Sequence, residues 1–179
     1  MGFVIWEPDG CRIVFNEKRL FTSSTRVELS RGEKVSFFGG QLLWDDFDGD
    51  GDQDVAVVRY GWDDSAPPDH IWLQQDRWKF RVSQVIRGYE QWGSDAAKAD
   101  FDQDGDVDLF IGQCGGDNKL WFNDGKGKFL ENIELGSGSH AVAVGDVDSD
   151  GDVDIFVVGC APPTVWINGL VKPAKDTVP

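Results

Sequence analysis

The sequence predicts an all-β fold built of β-propeller blades, and three observations carry that reading. An acidic nine-residue loop recurs three times, beginning at residues 46, 100 and 146. Each copy leads into a short apolar run rich in β-branched residues and then into a segment centred on a tryptophan. Glycine (22 residues) and tryptophan (8 residues) are both frequent, and no segment reads as a helix. Four short strands in about 50 residues make a unit the size of one propeller blade. The chain holds about three such four-stranded repeats, which describes a partial or oligomeric propeller.

The elements follow in order. Residues 5–10 align with residues 120–125, so the chain opens on a third strand, and Arg12 to Leu20 would be a fourth. Residues 22–38 fit the repeat poorly and suggest an extra hairpin around residues 30–33. Ahead of the loops lie apolar first strands at residues 41–44, 95–99 and 140–144. Behind them the runs 55–58, 109–112 and 155–158 read as buried second strands. Tryptophan strands follow at 71–73, 120–122 and 165–167, and fourth strands at 78–82 and 128–132. An insertion at residues 61–69 lengthens the first repeat, and Asn123 to Gly127 is a hairpin turn signal. The third repeat ends after its third strand. The resulting division is residues 1–38 (end of a preceding blade plus an irregular hairpin), 39–168 (blades) and 169–179 (an unstructured tail).

The loops are candidate metal sites. They place Asp46, Asp48, Asp50, Asp52 and Asp54 in the first copy, Asp100, Asp102, Asp104, Asp106 and Asp108 in the second, and Asp146, Asp148, Asp150, Asp152 and Asp154 in the third. Five carboxylates within nine residues repel one another unless a cation sits among them. Oxygen donors select a hard ion, and Ca2+ accepts the six to eight oxygens such a loop can gather. Positions 1, 3 and 5 turn inward, and position 9 closes the site. Glycine at position 6 allows a sharp turn. Position 7 usually offers its backbone carbonyl, which makes Asp52, Asp106 and Asp152 weak or indirect ligands. An EF-hand needs glutamate at position 12 and flanking helices. Here position 12 is Val57, Ile111 or Val157, inside a strand-like run, so the EF-hand is rejected. The alternative of a solvated acidic turn without metal does not account for three identical spacings. About three Ca2+ ions are therefore expected.

Composition narrows the partners. The formal net charge is −15, and fifteen of the 32 acidic residues lie in the three loops. Such a surface argues against nucleic acid and against anionic membranes. No apolar stretch approaches the roughly 20 residues that span a bilayer, so no direct membrane insertion is expected. The first residues lack the basic flank and apolar core of a signal peptide. Three cysteines, Cys11, Cys114 and Cys160, do not make a disulfide framework. Cys114 and Cys160 share one repeat position and read as buried thiols, with a disulfide between them left open.

The loops at residues 46–54, 100–108 and 146–154, each followed by an apolar strand, resemble FG-GAP or VCBS repeats, the blades of calcium-binding propellers such as the integrin α-subunit head. The resemblance covers roughly residues 39–168. It implies that each loop joins the first and second strands of a blade and holds one calcium. The implied ligands are Asp46, Asp48, Asp50 and Asp54, then Asp100, Asp102, Asp104 and Asp108, then Asp146, Asp148, Asp150 and Asp154. It also implies an extracellular or cell-surface setting, where calcium is abundant. Two departures stand out: such propellers usually have about seven blades, and this chain shows no export signal.

Chemistry beyond the metal is sparse in the sequence. His70 and His140 read as structural or exposed, with His140 near the channel or rim, and no catalytic pair emerges. No enzyme activity is expected. Trp6, Trp72, Trp121 and Trp166 recur at one strand position and read as packing between blades. Trp44, Trp62, Trp78 and Trp92 do not recur, and Trp62 is the candidate for an exposed contact. The leading expectation is a calcium-binding module for protein recognition or assembly, with the ions stabilising the blades. A calcium-dependent carbohydrate-binding, lectin-like propeller is the alternative. Open blade edges favour a protein partner or self-association over an isolated monomer, and Arg12 to Leu20 could supply the last blade's missing strand.

Overall fold

The computed structural model describes residues 2–7, 10–15, 40–59, 68–76, 79–86 and 93–169. Four antiparallel sheets account for its strands. The first is the hairpin β1 (Gly2–Glu7) and β2 (Gly10–Phe15), with Trp6 opposite Cys11. Blade 1 is β3 (Gly40–Asp45), β4 (Asp54–Arg59), β5 (Asp69–Asp76) and β6 (Lys79–Ile86) in sequential order. Blade 2 repeats it with β7 (Gly93–Ala99), β8 (Asp108–Gln113), β9 (Asp117–Asn123) and β10 (Phe129–Ser137). Blade 3 has β11 (Ser139–Gly145), β12 (Asp154–Gly159) and β13 (Thr164–Trp166). All the blade strands read from the sequence are present. Among the described residues β13 has no fourth-strand neighbour, and β2 pairs with β1 alone. The insertion with Trp62, the segment 22–38, Trp78, Trp92 and the tail after residue 169 lie outside the described residues.

The second strand of blade 2 is apolar on both faces because it is sandwiched between blades 1 and 3. All six residues of β4 and of β8 are buried. Side chains alternate along a strand, so β8 serves two cores at once. Leu109 and Ile111 point into a cluster with Leu43, Ala56, Val58, Ile71, Leu73 and Phe129, which joins blade 1 to blade 2. Phe110 points the other way, into a cluster with Leu120, Ile155 and Val157 that joins blade 2 to blade 3. Trp121 packs against the first cluster as an inter-blade residue. Trp166 reaches back over Gly136 of blade 2, and Trp72 is buried beside the ring of His70. Trp44 instead meets Phe80 of its own blade edge to face, with ring centroids 6.3 Å apart.

Polar bonds between blades also repeat. The Ala96 amide donates to the side chain of Gln41, and the Val142 amide donates to Asp95 at 2.8 Å, one blade further on. Lys98 donates to the carbonyl of Trp44 at 2.7 Å and pairs with Asp45. Gln84 of blade 1 brackets Phe129 of blade 2, accepting from its amide at 2.8 Å and donating to its carbonyl at 2.7 Å. Such contacts between neighbours are what hold a repeat architecture together.

The repeat breaks at the far face of blade 3. Phe110 is 0% exposed, whereas its equivalent Phe156 is 42% exposed. Ile71 and Leu120 are buried, but Val165 at the same position is exposed, as is Ile167 beside it. One expectation from the sequence is corrected here. Cys114 and Cys160 are not buried thiols: Cys114 is half-buried and Cys160 exposed, with no disulfide between them, in the turns that follow β8 and β12.

Candidate metal centre

Each acidic loop links the first strand of a blade to the second and wraps around its own carboxylates. The first aspartate gathers amides from the loop's far side. Asp46 accepts from Asp50 and Gly51 at 3.0 and 2.9 Å, Asp146 from Asp150 and Gly151 at 3.1 Å each, and Asp100 from Gly105 at 3.1 Å. The aspartate at position 3, Asp48, Asp102 or Asp148, accepts from the amide two residues on. The fifth, Asp50, Asp104 or Asp150, does the same with the amide of Asp52, Asp106 or Asp152. These are Asx turns, the local bonding that aspartate favours outside regular structure. The sixth residue carries φ of +92°, +102° and +93° at Gly51, Gly105 and Gly151, the left-handed region that glycine enters freely. The fourth residue is left-handed too, and in two copies it is not glycine: Gln103 has φ 61° and Ser149 φ 67°.

The ninth aspartate has a role that sequence reasoning missed. Its two oxygens accept from two backbone amides, one in its own loop and one at the end of the third strand. Asp54 takes Phe47 and Gln74 at 2.8 Å each. Asp108 takes Phe101 and Asn123 at 2.9 Å each. Asp154 takes Val147 and Asn168 at 2.7 and 2.8 Å. All three carboxylates are buried. The ninth residue is therefore a clamp between loop and sheet, and each of its oxygens keeps a further lone pair for an ion.

Three groupings bring carboxylate oxygens within 4.8 Å of one another: Asp46, Asp48 and Asp50; Asp100, Asp102 and Asp108; Asp146, Asp148 and Asp154. Asp54, Asp104 and Asp150 flank these triads without belonging to them. At position 7, Asp52 is exposed, Asp106 lies under the backbone of Gly125, and Asp152 is buried. Two buried oxygens, Oδ1 of Asp100 and Oδ1 of Asp152, have no hydrogen-bond partner. A buried carboxylate oxygen without a donor is costly, and a cation in the loop would satisfy it. The electrostatics agree. Burial pushes Asp54 and Asp108 up to about 6, against the pull of their amide donors, and the neighbouring aspartates push further. Asp48 and Asp102 are raised by burial and by adjacent carboxylates. A dication among them would reverse these effects. The all-oxygen donor set and the orphaned oxygens thus fit a hard cation such as Ca2+.

The second loop residue carries the site into the neighbouring blade. Phe47 and Phe101 are 1% and 2% exposed, each inside an inter-blade core, whereas Val147 is 62% exposed on the uncovered face of blade 3. The carbonyl of Phe47 accepts from the amide of Gly127 in blade 2 at 2.8 Å. An aromatic inside an acidic loop has no periodic pattern to betray it. The recurrence of Phe47 and Phe101 at the second loop position was the available signal.

The comparisons with known proteins agree with this architecture. The family model of the FG-GAP-like repeat matches residues 46–111 and again residues 100–157. Both matches begin at an acidic loop and end in the second strand of the following blade. No individual curated protein matches the chain. Tandem matches in register with the observed blades, over most of the described residues, show that the chain belongs to the FG-GAP-like repeat family.

Proposed function

We propose that the chain is a calcium-binding β-propeller module for protein recognition or assembly, in which calcium ions stabilise the blades. One observation carries the reading. The first two acidic loops are the same segments whose second residues anchor one blade in the next, so an ion fixing the loop would also fix the inter-blade contact. The ligands would come from Asp46, Asp48, Asp50 and Asp54, with their counterparts in the second and third loops. Bound calcium would convert carboxylate repulsion into a crosslink, and its binding free energy would add to folding free energy.

Assembly is supported by the uncovered face of blade 3, where Val147, Phe156, Val165 and Ile167 stand exposed at positions that the next blade covers elsewhere. FG-GAP repeats are typical of extracellular proteins and are generally not enzymes. Extracellular calcium would fill such sites. No helix among the described residues is long and apolar enough to cross a membrane. The alternative is a calcium-dependent, lectin-like use of pockets between blades; Trp62, the candidate exposed contact for either reading, lies outside the described residues.

Calorimetry on the calcium-loaded protein tests the proposal. Addition of EDTA is expected to lower Tm by many degrees, and native mass spectrometry to count about three calcium ions per chain. An unchanged Tm in EDTA would refute the structural role of the ions.

A further inference from the structure

Blades 2 and 3 also meet at the end away from the acidic loops. There the turns after β8 and β12 place Cys114 and Cys160 side by side, and the second residue of β11, His140, completes a triangle. The sulfurs are 3.1 Å apart, and Nε2 of His140 lies 3.2 Å from Cys114 and 3.0 Å from Cys160. The six residues of β8 separate this cluster from the second acidic loop by ~20 Å, so the two sites share no ligand.

The fold builds this triangle rather than leaving it to chance. The Gly138 amide donates to the carbonyl of Gln113 at 2.9 Å, and the Cys160 amide donates to the carbonyl of Gly138 at 2.8 Å. One residue thus ties both cysteine turns to the start of β11. His140 falls where the β11–β12 register shifts between Ser139 and Ala141, an irregularity that re-aims a side chain. Gly159 is needed for the close approach, since a side chain there would strike the Gly138 carbonyl and the His140 amide. Behind the triangle, buried Asn118 accepts from the Gln113 amide at 2.9 Å and donates to the Leu135 carbonyl at 2.9 Å, fixing the turn.

Three chemistries suit two thiols and an imidazole: a thiol nucleophile, a disulfide and a metal site. A nucleophile needs one thiol and a base beside it and gives the second sulfur no role. A disulfide uses only the two sulfurs and gives the imidazole no role. A metal uses all three donors. Zinc holds sulfur at about 2.3 Å and imidazole nitrogen at about 2.0–2.1 Å, and an ion at those distances sits about 1.3 Å off the plane of this triangle. Cys160 and His140 are exposed, so the open coordination position faces outward.

We propose that Cys114, His140 and Cys160 form a zinc-class metal site that ties blade 2 to blade 3 and keeps one coordination position open. Binding displaces a proton from each thiol to solvent and leaves two thiolates and a neutral imidazole on the ion. The donor set is soft, while the acidic loops are hard, so one chain sorts two kinds of cation to opposite ends of its blades.

Cobalt and zinc titrations of reduced protein in saturating calcium test the assignment. One equivalent of Co2+ is expected to give thiolate-to-metal charge transfer and tetrahedral visible bands, and zinc to bleach both. Cys114→Ser, Cys160→Ser and His140→Ala should each weaken binding by more than about 100-fold, with tryptophan fluorescence confirming that each variant is folded. Lys79→Ala, on the exposed fourth strand of blade 1, should leave the spectrum unchanged. Absence of charge transfer in the wild type, or a spectrum that survives in Cys114→Ser/Cys160→Ser, would overturn the site. So would a Cys114–Cys160 disulfide that forms in air even with zinc present.

Discussion

The side-chain amide of Asn123 in blade 2 donates to the carbonyl of Phe47 in blade 1 at 2.9 Å, across the interface that Phe47 itself fills. The same amide donates to the carbonyl of Val107 at 3.2 Å, so one side chain spans two acidic loops. Asn168 repeats both bonds one blade on, with Phe101 at 2.7 Å and Val153 at 3.3 Å. Replacing Asn123 by alanine removes two donor contacts at a buried position. The expected loss is about 1–2 kcal/mol, or a fall in Tm of about 2–8 °C for a chain of this size. Thermal unfolding in saturating calcium measures it, and no change would show that the latch carries no stability.

The acidic loops should respond one at a time. Asp100→Asn removes a carboxylate whose Oδ1 is buried without a donor. Isothermal titration should then count one calcium fewer than the wild type, with the remaining sites little changed. Magnesium should compete poorly, since it demands a smaller octahedral shell and holds its waters.

Gly127 offers a steric test of the inter-blade seam. Its φ is +71°, and an added Cβ would lie 2.6 Å from Cδ2 of Leu73 in blade 1. Gly127→Ala should cost about 1–3 kcal/mol through strain and overpacking. Gly145→Ala, where no atom lies within 4 Å of the new carbon, is the matched control and should be nearly neutral. Equal Tm values for the two variants would contradict the packing described.

Asp69 sets a pH dependence unrelated to metal. It is buried at the start of β5 and accepts from the Arg59 amide at 2.9 Å. Burial raises its pKa to about 7, from an ordinary 3.8, despite that amide and the Arg59 charge. The folded state therefore holds this proton more tightly than the unfolded state does. Stability from this group is complete below about pH 4 and is lost as pH rises toward 7. Asp69→Asn keeps the acceptor without the charge. It should raise the unfolding free energy relative to wild type at pH 8, by an amount on the order of a few kcal/mol, and the difference should shrink steadily toward pH 5. A constant difference across that range would exclude Asp69 as the titrating group.

The uncovered face of blade 3 should govern association. Phe156→Ser with Val165→Thr removes exposed apolar surface that supports little of the described core. Sedimentation velocity with calcium present should show concentration-dependent association of the wild type and a monomeric double variant. A wild type that stays monomeric at high concentration would remove self-association and leave a different partner as the occupant.

How much of this was legible in the residues depends on the range of the interaction. The runs 55–58, 109–112 and 155–158 announced buried strands because β-branched and apolar side chains repeat locally, and the loops announced themselves by spacing. What lay hidden depends on neighbours in space. Asp54, Asp108 and Asp154 look like ligands because a carboxylate that binds an ion and one that accepts two amides are the same residue type. Cys114 and Cys160 look like small buried hydrophobes until adjacent blades bring them together beside His140, 26 and 20 residues away along the chain.

The latch of Asn123 on Phe47 and of Asn168 on Phe101 has a consequence for how such a molecule can grow. The second repeat encodes both halves of the joint, the aromatic socket Phe101 in its loop and the amide plug Asn123 at the end of its third strand. A gene segment copied in tandem therefore arrives already matched to its parent, with no second change required elsewhere. Lengthening the array is a single genetic event, and natural selection can act first on what the new surface does.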